Sequence, residues 1–192
     1  KQDAVLRNMP SKQFLAGRGC PYRCTYCANH VFNQMFKKSG KIIRLKSVDY
    51  LVEEINDIKN RYPLQNIVFQ DDLFILDKEW TFEFCERFPR EVGLPFTCNV
   101  RANLIFEDVV RALKDAGCVG LNWSIESGND HLRNKVLLRK MTKDHILNAA
   151  NLFNKYGIRH RIGNLIGIPT EKWEDMLETL ELNIKAKPYA GF

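Results

Sequence analysis

Three cysteines within eight residues are the strongest chemical signal in this sequence. Cys20, Cys24 and Cys27 follow the spacing C-x3-C-x2-C. Thiolates are good ligands for iron, and a tight loop can bring three of them to one face of a 4Fe-4S cube. The fourth iron would then have no protein ligand, and an incomplete ligand set is the mark of a reactive metal centre. The spacing therefore predicts a reactive 4Fe-4S site.

Structural alternatives use the same three thiols. A zinc site or an electron-transfer cluster would need a distant fourth ligand, for which His30, Cys98 and Cys118 are candidates. The three-cysteine loop fits neither the common zinc pairs nor the ferredoxin runs. The other cysteines, Cys85, Cys98 and Cys118, stand alone on apolar backgrounds, and we predict that they are buried core residues.

The segments that must position this loop alternate between strand and helix patterns. Strands are predicted at 14–16, 66–69, 96–100, 119–125 and 162–168, and helices at 48–58, 78–87, 106–116, 142–156 and 171–187, with a sixth strand opening at Tyr189. Strands joined by single helices pair in parallel. We therefore predict an α/β fold, a partial (β/α)6-type TIM barrel cut after about five βα units. An open Rossmann-like sheet has the same periodicity, and both folds place chemistry at the carboxyl ends of strands.

Length and composition favour one domain. The 192 residues, 45% of them hydrophobic, can bury one core, so we predict a single domain over 1–192 with a leader at 1–13. The chain starts without Met and stops as a strand begins, which suggests a piece of a longer protein. No membrane span or signal peptide is visible, and we expect a cytoplasmic protein. Positive charges are interleaved with acidic ones, so neither a membrane nor nucleic acid is the expected partner.

The cysteine spacing, with the aromatic Tyr26 before the last cysteine, resembles the signature of the radical S-adenosylmethionine (SAM) superfamily. The resemblance implies a 4Fe-4S cluster on Cys20, Cys24 and Cys27, with SAM chelating the open iron. One electron from the reduced cluster would cleave SAM to methionine and a 5′-deoxyadenosyl radical. A flavodoxin or ferredoxin would donate the electron, and the substrate would be a small molecule. Tyr26 would pack beside the adenine, and its hydroxyl need have no role.

The resemblance also assigns SAM contacts by position. Asp71 and Asp72 follow the second strand, where the family binds the SAM amino group. Glu126, with Ser124 as the secondary candidate, matches the ribose motif, because a carboxylate can accept hydrogen bonds from both ribose hydroxyls. The structural alternatives are a loop-capping role for the aspartate pair and a helix-start role for Glu126.

Two arginines and two glycines complete the predicted SAM site. A carboxylate is best held by an arginine fork, and Arg101 and Arg139 both fit by position, with the resemblance favouring Arg139. Either could instead be a surface ion-pair residue. Gly163 and Gly167 lie in a segment that resembles the adenine-binding strand, because glycine admits the close approach of a flat ring. No catalytic acid or base is identified.

Three segments resemble most the cobalamin-associated branch of the superfamily: Arg18 to Tyr22, Asp71 to Phe74 and Ile125 to Asn129. Many members of that branch methylate unreactive carbon or phosphorus centres or rearrange rings. A cobalamin-binding domain usually precedes the radical domain, so cobalamin use is expected of a longer parent protein. The alternatives are a methylthiotransferase, a radical oxidase without cobalamin, and a non-catalytic iron-sulfur or zinc module.

Overall fold

A computed structural model describes residues 4–191 and shows eight strands in that part of the chain. They are β1 (Ser11–Phe14), β2 (Gly17–Arg18), β3 (Arg44–Leu45), β4 (Asn66–Phe69), β5 (Phe96–Asn99), β6 (Cys118–Glu126), β7 (Arg159–Asn164) and β8 (Ala190–Gly191). β2 and β3 pair antiparallel in a small ribbon, and the other six strands form one parallel sheet.

The helices of the described residues are α1 (Ala4–Asn8), α2 (Asn29–Met35), α3 (Val48–Arg61), α4 (Lys78–Glu91), α5 (Glu107–Asp115), α6 (Lys143–Lys155) and α7 (Trp173–Ala186). Side-chain caps fix three of the starts. Ser47, Asp77 and Thr142 each accept a hydrogen bond from the backbone N–H three residues ahead, which satisfies a donor that the first helical turn leaves free. None of these helices is long and apolar enough to cross a membrane.

The strand order decides between the two predicted architectures. The parallel sheet runs β1-β4-β5-β6-β7-β8, in chain order and without the reversal that a doubly wound sheet requires. Successive helices pack beside one another, α3 on α4, α4 on α5, α5 on α6 and α6 on α7. This winding confirms the prediction of a partial barrel, and the sheet is not closed.

Aromatic side chains form the densest part of the core. Phe69 of β4 packs against Phe74 with ring centroids 4.6 Å apart, and Phe84 and Phe88 of α4 contact the same cluster. Burial of such rings is the main favourable term that holds α4 on β4 and β5. The cluster therefore anchors the strands whose carboxyl ends carry Asp71 and Arg101.

Two predicted strand boundaries are wrong. The first strand lies at Ser11–Phe14 instead of 14–16, and the fifth at Arg159–Asn164 instead of 162–168. In β7, the fifth predicted strand, the exposed Arg159 and Arg161 alternate with the buried His160 and Ile162. The prediction looked for a continuous apolar run, and a half-buried strand does not have one. The segments α1, α2, β2 and β3 were not predicted.

Candidate functional site

A cavity of about 490 Å³ opens at the carboxyl ends of the central strands. Eleven of the twelve predicted site residues line it, the exception being Gly167. Gly167 lies beyond the end of β7, where its N–H donates to the Glu171 carboxylate at 2.6 Å. The location agrees with the rule that parallel α/β folds carry their chemistry at this edge.

The cysteine loop, residues 19–27, begins at a position that requires glycine. Gly19 has a φ of 95°, and a Cβ at this position would lie 2.0 Å from the carbonyl oxygen of Ile42, so a side chain is excluded. The Cys27 N–H donates to the Cys24 carbonyl at 3.1 Å, and Asn33 Nδ2 donates to the Cys20 carbonyl at 2.8 Å. These bonds turn the loop tightly and tie it to α2.

Both predicted aspartates hold the backbone of this loop or of the residues just before it. The Asp71 carboxylate accepts hydrogen bonds from the N–H groups of Ala16 and Gly17, and burial raises the pKa of Asp71. The Asp72 carboxylate accepts from the N–H of Gly19 at 3.1 Å and from Asn29 at 2.8 Å. The alternative that the pair caps the turn after it is not what these bonds show, because the two carboxylates accept from residues 16–19 and from Asn29 instead. Their contact with the SAM amino group stays a prediction.

The three thiols share one cavity wall. Within residues 4–191, no three His, Cys, Asp or Glu side chains converge into a site for one metal ion. In a 4Fe-4S cube each thiolate binds a different iron, so the sulfurs need not converge on a point. None of the fourth ligands considered for zinc, His30, Cys98 or Cys118, lines the cavity. The donor set therefore fits a three-cysteine cluster.

The isolated cysteines are core residues, as predicted. Cys85, Cys98 and Cys118 are all buried and form no disulfide among the described residues. Burial raises the pKa of Cys85 to about 12 and raises that of Cys98 well above its ordinary value. Cys85 and Cys98 therefore remain protonated thiols in a packed interior.

Glu126 lies at the end of β6 in a hydrogen-bonded network. Its Oε1 accepts from the Tyr26 hydroxyl at 2.6 Å and lies 3.7 Å from Arg139 Nη1. Arg139 Nη1 also donates to the Tyr26 hydroxyl at 2.9 Å. Burial, and then the bond to Glu126, raise the pKa of Tyr26, so this hydroxyl stays protonated. The Tyr26 hydroxyl thus has a role that the sequence did not require, because it orients the predicted ribose ligand.

The backbone at Glu126 is strained in a way that serves the site. Glu126 has a φ of 67°, which is rare for a residue with a side chain and is held here by the bond from the Leu165 N–H to the Glu126 carbonyl, 2.9 Å long. The pairing register between β6 and β7 shifts between Ser124 and Glu126. This break at the strand end turns the Glu126 carboxylate toward the cavity.

Two buried arginines face the cysteine loop. Nη1 of Arg101 lies 3.8 Å from the Cys24 sulfur, and Nη1 of Arg139 lies 3.9 Å from it. Arg139 also donates to the Ser124 carbonyl at 2.7 Å, while its buried Nε meets no acceptor in the described part of the chain. The surface ion-pair alternative is therefore wrong for both, because Arg101 is only 5% and Arg139 only 8% exposed.

Gly163 keeps space open on the floor of the cavity. A Cβ at Gly163 would lie 3.0 Å from Ser124 Oγ, which is tight for a carbon atom. β6 and β7 pair here, with Ser124 beside Gly163. A residue without a side chain thus leaves room for the Ser124 hydroxyl, and the contact of Gly163 with adenine stays a prediction.

Four further polar residues line the cavity and were not predicted from the sequence, namely Asn29, Asn99, Asn122 and Arg161. Asn99, Asn122 and Arg161 each lie two residues before a predicted site residue, on the same face of a strand. Side chains on one face of a strand recur every second residue. Counting two residues back from Arg101, Ser124 and Gly163 would therefore have identified these three.

Comparison with known proteins supports the resemblance. The family model of the Radical SAM superfamily matches residues 14–182. An uncharacterised methyltransferase of Pyrococcus horikoshii is 27% identical over 95% of this chain and 41% of its own length. A tRNA-2-methylthio-N(6)-dimethylallyladenosine synthase of Sulfurihydrogenibium is 28% identical over 86% of this chain and 38% of its own length. The chain thus spans about two fifths of the length of these relatives.

Solved structures share the fold. The radical SAM methyltransferase TsrM of Kitasatospora setae, solved with its tryptophan substrate and a SAM analogue, superimposes with a TM-score of 0.81 at 16% identity, over 97% of this chain and 36% of TsrM. A second structure of TsrM, with cobalamin and a 4Fe-4S cluster bound, gives a TM-score of 0.79.

Proposed function

This chain belongs to the radical SAM superfamily and is part of an enzyme, and from that premise we propose that its cavity binds a 4Fe-4S cluster and SAM for reductive cleavage of SAM. One observation carries the proposal. Three thiols, a ribose-type carboxylate and a buried arginine, far apart in sequence, line one cavity at the carboxyl edge of a partial barrel. In a structural module the thiols, the carboxylate and the arginine would each need a separate explanation, whereas binding of SAM to a cluster accounts for all of them.

We propose that Cys20, Cys24 and Cys27 hold the cluster. When bound and reduced, the cluster supplies the electron that cleaves SAM to methionine and a 5′-deoxyadenosyl radical. Burial raises the pKa of the Cys20 thiol, so thiolate formation there must be supported by the metal or by nearby cations. The two guanidinium groups beside Cys24 supply such positive charge.

Glu126 is the proposed ribose ligand. Oε1 is held by Tyr26, while Oε2 has no protein donor within residues 4–191 and can accept from the ribose hydroxyls. Arg139 is the proposed partner of the SAM carboxylate, because its buried Nε still lacks an acceptor. Asp72 is better suited than Asp71 to accept from the SAM amine, since Asp72 is exposed and Asp71 is only 2% exposed.

The longer protein is proposed to be a methyltransferase that uses cobalamin. The name of the Pyrococcus relative and the three quoted segments that resemble the cobalamin-associated branch support this proposal. The second candidate is a methylthiotransferase, since the Sulfurihydrogenibium relative bears that activity in its name. Binding of cobalamin by the full-length protein would favour the first, and a second iron-sulfur cluster would favour the other. A small-molecule substrate and a flavodoxin or ferredoxin as the reductant remain part of the proposal.

The decisive experiment is anaerobic reconstitution of the chain with iron and sulfide, followed by reduction and addition of SAM. Wild-type protein should form 5′-deoxyadenosine, and Cys24→Ala should not. Cys85→Ala is the matched control, because it removes a buried thiol that does not line the cavity. Product from Cys24→Ala, or an intact cluster that neither binds nor cleaves SAM, would contradict the proposal.

A further inference from the structure

Every guanidinium nitrogen of Arg101 contacts a protein atom. Its Nε donates to Asn103 Oδ1 at 2.7 Å, and Nη2 donates to the Arg139 carbonyl oxygen. The Tyr22 ring covers its face, with the guanidinium carbon 3.8 Å from the ring centroid. The third nitrogen, Nη1, is directed at the Cys24 sulfur at 3.8 Å. Each nitrogen thus has one protein partner, while Nη1 and Nη2 each keep a second N–H, and the contact of Arg101 with the SAM carboxylate stays a prediction.

This arrangement fixes a positive charge against one thiol. Arg101 is 5% exposed and forms no salt bridge with a carboxylate in the described part of the chain. Asn103 also donates to the Tyr22 hydroxyl at 3.1 Å, so the two residues that fix the arginine brace each other. A buried cation without a carboxylate partner is costly unless another negative group balances it. The Cys24 sulfur, 3.8 Å from Nη1, would be such a group as a thiolate ligand of the proposed cluster.

We propose that Arg101 is a positioning residue that raises the reduction potential of the cluster through Cys24. The inference rests on the proposed cluster site. Net charge, hydrogen bonds to the sulfurs and solvent exposure set the potentials of iron-sulfur clusters. Reduction adds a negative charge, so a fixed cation beside a ligand sulfur favours the reduced state. Arg139 differs, because its Nε lacks a partner and its other donors contact Tyr26 and Ser124, which suits it to bind SAM.

The test is a potentiometric titration of the reconstituted chain without SAM, followed by electron paramagnetic resonance of the reduced cluster. Arg101→Met removes the charge, Arg101→Gln removes the charge but keeps a donor, and Arg101→Lys keeps the charge. Arg90→Met is the control, since Arg90 is an exposed arginine of α4 that pairs with Glu86 and its loss changes net charge equally. Iron content and the absorption spectrum establish that each variant holds its cluster.

We expect the ratio of reduced to oxidised cluster, at the wild-type midpoint potential, to fall about tenfold in Arg101→Met and Arg101→Gln, equivalent to about 59 mV for one electron. Arg101→Lys and Arg90→Met should stay near the wild-type value. If Arg101→Met fails to take up iron, the comparison of Arg101→Gln with Arg101→Lys decides.

Several outcomes would overturn the inference. Unchanged midpoint potentials in Arg101→Met and Arg101→Gln would show that the charge does not act on the cluster. An equal fall of the midpoint potential in Arg101→Lys would show that the geometry of the arginine side chain, and not its charge, causes the effect. Weaker SAM binding in Arg101→Met at an unchanged potential would make Arg101 a SAM ligand instead. Wild-type protein that takes up no iron would refute the cluster site itself, together with the inference.

Discussion

Mild acid should destabilise the chain through His160, a buried residue of β7. His160 is 1% exposed, and its Nδ1 accepts a hydrogen bond from Trp123 Nε1 at 3.2 Å. Protonation would turn Nδ1 into a second donor that faces the first. The buried Nε2 also meets no acceptor within residues 4–191. A charged imidazole therefore has no favourable contact in this pocket, which Phe153 closes at 5.3 Å between ring centroids.

The direction and size of the effect follow from the two pKa values. Burial lowers the pKa of His160 from 6.5 to about 4, so the folded state keeps the ring neutral while the unfolded state takes up a proton. The contribution of neutral His160 to the free energy of unfolding is thus complete above pH 6.5. It decreases as the pH falls from 6.5 to about 4. The full loss is about 3 kcal/mol, which is a large part of the stability of an ordinary domain.

Urea unfolding followed by circular dichroism, at several pH values across this window, measures the loss. His160→Leu should be less stable than wild type at neutral pH by about 1–3 kcal/mol, because Trp123 loses its acceptor, but should depend less on pH. His131→Leu, a change at an exposed histidine, should keep the wild-type pH dependence. Parallel curves for wild type and His160→Leu would refute the reasoning.

Three further changes test the site and its supports. Asp71→Asn puts an amide donor against a backbone N–H just before the cysteine loop, and we expect about 2 kcal/mol less stability in urea unfolding and less iron bound on reconstitution. Gly128→Ala would place a Cβ 2.3 Å from the Glu178 carbonyl carbon, and we expect about 3 kcal/mol of destabilisation by the same assay, or no folded protein. Tyr26→Phe should weaken SAM binding about tenfold at unchanged iron content, measured by calorimetry on the reconstituted chain, because Glu126 loses its orienting hydroxyl. A wild-type value in any of these measurements would contradict the role assigned to that residue.

The periodicity of the sequence was enough to predict a parallel α/β fold, whereas the strand order of the folded chain separated the partial barrel from an open doubly wound sheet. The strand Asn66–Phe69 was predicted with its observed bounds, and the helix predicted from residue 48 begins at Val48. Such signals are local, because they depend on neighbouring residues and on the alternation of one strand or helix. The polar fifth strand escaped the same reasoning, since its exposed face carries Arg159 and Arg161. The pattern of a half-buried strand is weaker than an apolar run.

The cysteine spacing and the positions of the other motifs came from the sequence, but the tertiary structure alone decided what each residue contacts. Tyr26 and Glu126 are 100 residues apart, and Arg101 and Cys24 are 77 residues apart. No local pattern indicates that the Tyr26 hydroxyl contacts Glu126, that Asp72 holds the cysteine loop, or that Arg101 and Arg139 both lie beside the Cys24 sulfur. Hydrogen bonds and charges act over a few ångströms of space, and only the folded barrel brings these groups within that range.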